Sequence, residues 1–207
     1  PTVGITGSAG KTTTTTLFGR MAQAEMKPPR QAWVGGNIGN PLIEFTSEIN
    51  PHDLVIQELS SFQLELMTTS PRVAAVLNIT PNHLDRHAGM ADYIRAKSRI
   101  LAFQDQGDIA VLNREDAESW KLRSMVHGSL VSFGREKAAL AEPQVYLQDG
   151  AIWAGRDGIA TRLLETSLVS LRGAHNLMNV LAACALAVAL DFSPDAMTAG
   201  IKGFNGV

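Results

Sequence analysis

Hydrophobic residues along most of the chain fall into short continuous runs, and segments with helical spacing of apolar positions separate them. The clearest run, residues 73–80, is mostly apolar, which is typical of a strand covered on both faces. Comparable patterns predict further strands at residues 2–6, 32–35, 53–59, 108–113 and 129–133. They predict helices at residues 12–26, 91–104, 115–126 and 175–190.

Alternation of strands and helices predicts an α/β fold with a mostly parallel sheet and flanking helices, similar to a P-loop NTPase. The pattern changes after residue 140, where Asp149-Gly150 and Asp157-Gly158 are good turn pairs. We therefore expect a small antiparallel β subregion near residues 143–165. Farther on, Ser193-Pro194-Asp195 has the cap, proline and early acid of a helix start.

Composition is ordinary for a folded protein: of 207 residues, 45% are apolar and 18% are charged. The 18 basic and 20 acidic residues leave a net charge of −2, which gives no reason to expect a nucleic-acid or membrane partner. The single cysteine, Cys184, lies in an apolar run and is expected in the core. No apolar run approaches the ~18 residues that span a bilayer, so we expect a cytoplasmic protein.

The segment Thr6-Gly7-Ser8-Ala9-Gly10-Lys11-Thr12 lies between the first strand and the first helix, where a phosphate-binding loop belongs. Gly7 and Gly10 permit the backbone dihedrals with which successive N–H groups surround phosphate oxygens. Lys11 would reach the outer phosphates, and the Thr12 hydroxyl would bind Mg²⁺. Ile5 stands where the widest form of the motif has glycine, so the match is to a tighter variant.

Two acidic or polar segments lie at predicted strand ends, where open α/β sheets bind their ligands. Glu58 ends the third strand and is either a metal ligand or a surface charge. Residues 78–87 follow the strongest strand and concentrate His, Asp, Arg and Asn side chains, which favours a site there. The spacing does not decide which residue acts, since Asp85 and Arg86 could equally form a structural ion pair.

Helices contribute three further candidates. Lys97 lies on a predicted helix, where a lysine is ordinarily a surface residue. Asn176 and Asn179 are three residues apart after Gly173, so they share one helix face and could contact a base. Capping of the helix by Asn176 is an equally good interpretation.

Taken together, the motifs resemble the Mur ligase family over nearly the whole chain. The resemblance rests on the order of the loop at residues 6–12, Glu58-Leu59-Ser60-Ser61-Phe62-Gln63-Leu64-Glu65, residues 78–87, Ala96-Lys97 and Gly173-Ala174-His175-Asn176 with Asn179. It implies that residues 1–207 are the central ATP-binding domain of a three-domain enzyme, whose flanking domains are absent from this chain.

The resemblance also implies a reaction. The family member would join D-Glu to UDP-MurNAc-L-Ala through an acyl phosphate, in peptidoglycan precursor biosynthesis, as a monomer. ATP and two Mg²⁺ ions would serve the reaction, and Lys97 would become carbamylated. The implied catalytic residues are Lys11, Glu58, His83 and Lys97. The implied metal ligands are Thr12, Glu58, His83 and Lys97, the nucleotide contacts are Gly7, Gly10, Lys11, Thr12, Thr13, Asn176 and Asn179, and the substrate contacts are Asn37 and Ser61.

The chain departs from the family pattern at Ala9, where the family usually has Asn, and ends before the family's Pro-His-Arg. Other interpretations stay open. The chain could belong to another ligase of the superfamily, such as folylpolyglutamate synthetase, although the 58–65 string argues against that. It could also be a P-loop NTPase without ligase activity, or a non-catalytic nucleotide-binding module.

Overall fold

A computed structural model describes residues 1–39, 41–81 and 89–207 of the chain. One nine-stranded sheet has the order β2-β3-β1-β4-β5-β6-β7-β8-β9. Its strands are β1 (Thr2–Thr6), β2 (Ala32–Gly36), β3 (Leu54–Glu58), β4 (Val73–Val76), β5 (Ile109–Asn113), β6 (Ser129–Phe133), β7 (Gln144–Gln148), β8 (Ala151–Arg156) and β9 (Ile159–Glu165). The helices are α1 (Lys11–Glu25), α2 (Ser61–Leu66), α3 (Met90–Ser98), α4 (Ala117–Lys121), α5 (Ala174–Ala189) and α6 (Pro194–Ile201).

The sheet is parallel from β2 to β7, and β8 and β9 complete it as an antiparallel extension. The predicted α/β class and the predicted antiparallel subregion are therefore confirmed. Since β3 lies on one side of β1 and β4 on the other, the chain crosses over at β1. The carboxyl ends of β1, β3 and β4 consequently meet at the kind of crossover point where open α/β sheets bind ligands.

Apolar side chains fill both faces of the sheet. One face packs against α1, α5 and α6, and the other carries the smaller cluster around α3 and α4. Helix α5 is rich in Ala, Leu and Val, and it is buried from Asn179 to Ala187. Cys184 lies in it fully buried, as expected, and burial raises the pKa of its thiol to about 12, which makes the thiol unreactive.

Several elements differ from the prediction in length. Strand β4 ends at Val76, and α3 ends at Ser98. After α3 the chain continues in hydrogen-bonded turns, such as that from the Leu101 N–H to the Ser98 carbonyl at 3.0 Å. The Gln104 side chain then donates to the carbonyls of Pro71 and Ile109. The predicted 115–126 helix divides into α4 and a 3₁₀ turn, Leu122–Met125. Across these described ranges no helix is long and apolar enough to span a membrane.

The edge strand β2 is fixed by Asp53, just before β3. Its carboxylate accepts from the N–H of Asn50, the indole of Trp33 and the N–H of Gln31, each at 2.9 Å. These donors favour the charged form, so they lower the pKa of Asp53 to about 2. Asp53 thereby holds the start of β2, whose far end leads into the candidate site.

Candidate functional site

The loop at residues 7–10 joins β1 to α1 as predicted. Gly10 has φ +82° and caps α1 without a side-chain bond, and the first bond of the helix runs from Thr14 N–H to the Gly10 carbonyl. The N–H groups of the first helical turn thus point out of its end, where the helix dipole also favours an anion. Thr12 and Thr13 lie in this turn and are half-buried. Gly7, Gly10, Thr12 and Thr13 therefore surround one helix N-terminus.

Two lysines meet at one carbonyl of this loop. Lys11 Nζ and Lys97 Nζ each donate to the Gly7 carbonyl oxygen at 2.9 Å. Lys97 also donates to Thr6 Oγ1 at 3.3 Å and lies 4.8 Å from the ring centroid of Tyr93. Although α3 and α1 are far apart in sequence, the geometry joins their lysines at the phosphate end of the loop.

Lys97 is 1% exposed, so the expectation of a surface lysine is wrong. The helix α3 turns it inward beneath the loop, where burial and then the charge of Lys11 lower its pKa to about 7. Burial also lowers the pKa of Lys11, while the carboxylate of Glu58 opposes that shift. The site therefore contains one amine that is half neutral near pH 7 and one lysine facing an acid.

Glu58 is 2% exposed, which excludes the surface-charge interpretation. Its Oε1 accepts from Asn37 Nδ2 at 3.1 Å, and the Asn37 N–H donates to the Glu58 carbonyl at 2.9 Å. Within the described ranges its Oε2 is buried and has no hydrogen-bond partner. A buried carboxylate oxygen without a hydrogen-bond donor is destabilising. This oxygen is therefore suited to bind a cation.

Gly36 explains how Asn37 reaches Glu58. It pairs with Glu58 in the β2–β3 ladder and has φ +99°. A Cβ at this position would lie 2.3 Å from the Glu58 carbonyl oxygen, so only glycine permits the close approach. Asn37 therefore contacts the candidate metal ligand directly, which its predicted role as a substrate contact did not anticipate.

Ser61 begins α2, directly after β3 and the capping box of Ser60 and Gln63. It is 4% exposed, so only a small part of it faces solvent. This position places it close in sequence to Glu58 at the same sheet edge. Its predicted contact with the substrate stays a prediction.

A cavity of about 190 Å³ lies between the loop, the strand ends and the start of α5. Its lining consists of Ala9, Gly10, Leu77, Asn78, Asn113, Phe133, His175, Met178 and Asn179. Apolar walls with a few amide groups suit a nucleotide base. A larger cavity of about 470 Å³ lies at the β8–β9 turn, away from the loop and its lysines.

Asn179 is 7% exposed, and its Nδ2 lies 3.4 Å from Asn176 Oδ1. Asn176 does not cap α5, because the cap is Gly173 and the Asn176 amide donates to the Arg172 carbonyl instead. The structure therefore brings Asn179 to the cavity, with Asn176 beside it.

His83 lies outside the described residues, as do Asp85 and Arg86. Within the described residues, no three His, Cys, Asp or Glu side chains gather as a metal site. Mg²⁺ ordinarily takes one or two carboxylates and completes its shell with water and phosphate oxygens. Glu58 and Thr12 are the described residues that could hold it.

Comparison with known proteins agrees with this geometry. The family model described as Mur ligase middle domain matches residues 5–187. The chain belongs to the Mur ligase family. A curated relative from Pelotomaculum thermopropionicum, UDP-N-acetylmuramoylalanine--D-glutamate ligase, is 40% identical over 100% of this chain and 45% of its own length. One of the same name from Clostridium acetobutylicum is 38% identical over 99% of this chain and 42% of its own length.

Solved structures share the fold of this Mur ligase domain. A UDP-N-acetylmuramoyl-L-alanyl-D-glutamate--2,6-diaminopimelate ligase has a TM-score of 0.78 at 18% identity, over 100% of this chain and 46% of that chain. MurF from Acinetobacter baumannii has a TM-score of 0.69 at 24% identity, with the same coverage of both chains. The chain spans about half the length of the curated relatives it matches.

Sequence reasoning gave no role to two residues that shape the site, although Asn78 belongs to the candidate segment 78–87. Tyr93 lies four residues before Lys97 on α3, and its ring covers the lysine. Asn78 holds the loop through its side-chain amide. The i, i+4 spacing signals the first contact, but only the sheet order, which puts β4 beside β1, reveals the second.

Proposed function

We propose that this Mur ligase domain is the ATP-binding part of an enzyme that joins D-Glu to UDP-MurNAc-L-Ala through an acyl phosphate. The observation that carries the proposal is the meeting of Lys11 and Lys97 at the Gly7 carbonyl. Lys11 also interacts with the charge of Glu58, whose Oε2 has no hydrogen-bond partner among the described residues. The name of the curated relatives, UDP-N-acetylmuramoylalanine--D-glutamate ligase, indicates the substrates.

In the first step a carboxylate oxygen of UDP-MurNAc-L-Ala attacks the γ-phosphorus of ATP, and ADP leaves with the electrons of the broken P–O bond. In the second step the amine of D-Glu attacks the acyl carbon. Phosphate then leaves with the former carboxylate oxygen, and the amine loses a proton. No covalent bond to the protein is needed.

The described residues supply position and charge. Lys11 offsets negative charge that builds up on the transferred phosphoryl group. The N–H groups of the first α1 turn hold the neighbouring phosphates of ATP. Glu58 and the Thr12 hydroxyl would hold Mg²⁺, which supplies charge neutralisation at the phosphates when bound. Asn37 orients the Glu58 carboxylate so that Oε2 faces away from it. The base would occupy the cavity beside Asn179.

Lys97 would contribute as a carbamate. A neutral amine attacks the carbon of CO₂, an N–C bond forms, and loss of a proton leaves a carboxylate-like anion. Burial of Lys97 and its pKa of about 7 support this, because the neutral amine is available at physiological pH. The product would be a second anionic ligand for Mg²⁺ and would remove the repulsion between the two lysines.

His83 completes the proposed metal ligands. Action in the cytoplasm fits free ATP and a UDP-linked substrate, and the monomeric state stays a prediction.

The experiment measures phosphate release by the full-length protein with ATP and Mg²⁺, adding UDP-MurNAc-L-Ala and D-Glu separately and together. Release should require both substrates. Lys11→Met should lower the rate by about 10²–10³-fold, while Lys121→Met, on an exposed helix surface, should not. Phosphate release that does not depend on either substrate would identify an NTPase without ligase activity. A requirement for a different acceptor would identify another ligase of the superfamily.

A further inference from the structure

The outer side of the phosphate loop, Ser8 and Ala9, is hydrogen-bonded to the segment after β4, mainly to Asn78. The Ala9 N–H donates to Asn78 Oδ1 at 2.9 Å, and Asn78 Nδ2 donates to the Ala9 carbonyl at 3.0 Å. The Ser8 N–H also donates to the Asn78 backbone carbonyl at 2.9 Å. One residue therefore binds the backbone of two successive loop residues, Ser8 and Ala9.

A second attachment lies beside the first. Ser8 Oγ donates to the Thr80 carbonyl and accepts from the Thr80 N–H, both at 2.9 Å. The single hydroxyl hydrogen of Ser8 is then used, so the hydroxyl of Tyr93, 3.1 Å away, is the donor in that pair. The loop is thus fixed at its outer side by both Asn78 and Thr80.

These bonds restrict which loop N–H groups can bind phosphate. The N–H groups of Ser8 and Ala9 point toward β4 and are already paired. The four N–H groups at the start of α1, from Gly10 to Thr13, have no partner within an α-helix. The phosphate cradle therefore consists of the helix N-terminus, and Asn78 holds the loop that presents it.

The chemistry favours an amide at this position. The backbone of one residue offers one N–H donor and one carbonyl acceptor, and a primary amide side chain can pair with both at once. Ala9 has no polar side chain with which to fix its own loop. The backbone N–H and carbonyl of Ala9 are therefore paired from outside the loop, by Asn78.

We propose that Asn78 is a positioning residue for nucleotide binding: by pairing with the backbone N–H and carbonyl of Ala9, it directs the phosphates of ATP to the N–H groups of residues 10–13. This inference rests on the proposed function of the loop as the ATP site. It assigns Asn78 no contact with the reacting atoms.

The test measures binding of ATP, ADP and adenosine to the full-length protein by calorimetry. Asn78→Ala should weaken the binding of ATP and ADP by about tenfold, the effect of losing hydrogen bonds worth ~1.4 kcal/mol. The affinity for adenosine should not change. Asn78→Asp keeps the acceptor but lacks the donor and adds a negative charge. It should weaken ATP further, more so at low salt. KM for ATP should rise, and KM for UDP-MurNAc-L-Ala should not.

Gln144 provides a matched control. Its side-chain amide makes the same pair of bonds with the backbone N–H and carbonyl of Ala138, both at 2.8 Å. Gln144→Ala should lower thermal stability much as Asn78→Ala does, with no change in nucleotide affinity. If Asn78→Ala lost affinity equally for adenosine and for ATP, the proposal would be overturned and Asn78 would be a base contact.

Hydrogen exchange on the wild-type protein avoids any folding defect. The amides of Ser8 and Ala9 should be protected without nucleotide and unchanged by ATP, whereas those of residues 10–13 should gain protection. Protection of Ser8 and Ala9 that appears only with ATP would overturn the proposal. A wild-type protein that binds no ATP would instead refute the nucleotide function itself, so the two failures are distinguishable.

Discussion

Replacement of Gly10 by alanine tests whether the loop and α5 form one nucleotide site. Gly10 has φ +82°, and a Cβ there would lie 2.0 Å from Asn179 Oδ1 and 2.9 Å from its Cγ. Ordinary contact begins near 3.4 Å, so the amide must retreat by more than an ångström. Since α5 is buried from Asn179 to Ala187, a shift of the helix would disrupt the packing of the core. Either the Asn179 side chain rotates out of the cavity or the loop shifts.

Two costs follow from the geometry. The left-handed backbone conformation costs about 1–2 kcal/mol with a Cβ present, which lowers the melting temperature by about 2–4 °C per kcal/mol in a chain of this size. Displacement of the Asn179 amide or the loop removes hydrogen bonds to the nucleotide. We expect this to weaken the binding of ATP by about thirtyfold or more, which corresponds to ~2 kcal/mol.

Gly158→Ala separates these two costs. Gly158 has φ +78°, close to that of Gly10, but no atom lies within 4 Å of its added Cβ. Both variants should therefore lose similar stability in thermal denaturation, and only Gly10→Ala should lose ATP affinity in calorimetry. Wild-type affinity in Gly10→Ala would refute the argument that the loop and Asn179 bind one nucleotide together.

Three further predictions follow from buried charged groups. Because the pKa of Lys97 is about 7, a carbamate signal with ¹³CO₂ in NMR should grow as the pH rises through 7 and be absent in Lys97→Met; a signal that persists in the variant would place the carbamate elsewhere. Glu58→Gln should lower Mg²⁺-dependent turnover by about 10²–10³-fold, whereas exposed Glu118→Gln should leave it unchanged, and equal rates would remove Glu58 from the site. Asp53 stabilises the fold fully above its ordinary pKa of 3.8 and loses this contribution as the pH falls through about 2. Asp53→Asn should therefore be less stable than wild type near pH 7 in chemical denaturation and approach it at pH 2, while Asp191→Asn, in an exposed pair, should match wild type throughout.

The sheet and its loop could be predicted because local patterns determine them. Apolar runs gave β1 and β5 closely, and the glycines of the loop located the phosphate end of the sheet. Helix α2 was not predicted, because its six residues are too few to show a helical period of apolar positions. Its capping box, Ser60 with Gln63, was the available signal.

Burial of polar groups was harder to predict, since it depends on long-range packing. Lys97 reads as a surface residue on an isolated helix, yet α3 packs it under the loop of β1, 90 residues away in the chain. The pairing of Asn37 with Glu58 likewise requires the β2–β3 register. Only the resemblance to a family, and not the periodicity, directed attention to Lys97.

The central claim is that ATP activates a carboxylate of UDP-MurNAc-L-Ala as an acyl phosphate. The most direct measurement uses the full-length protein with substrate labelled by ¹⁸O in that carboxylate, together with ATP, Mg²⁺ and D-Glu, and analyses the released phosphate by mass spectrometry. The account predicts one ¹⁸O atom in each phosphate, because the amine displaces phosphate from the acyl carbon with a carboxylate oxygen attached. Unlabelled phosphate would mean that water attacks ATP directly and would contradict the account.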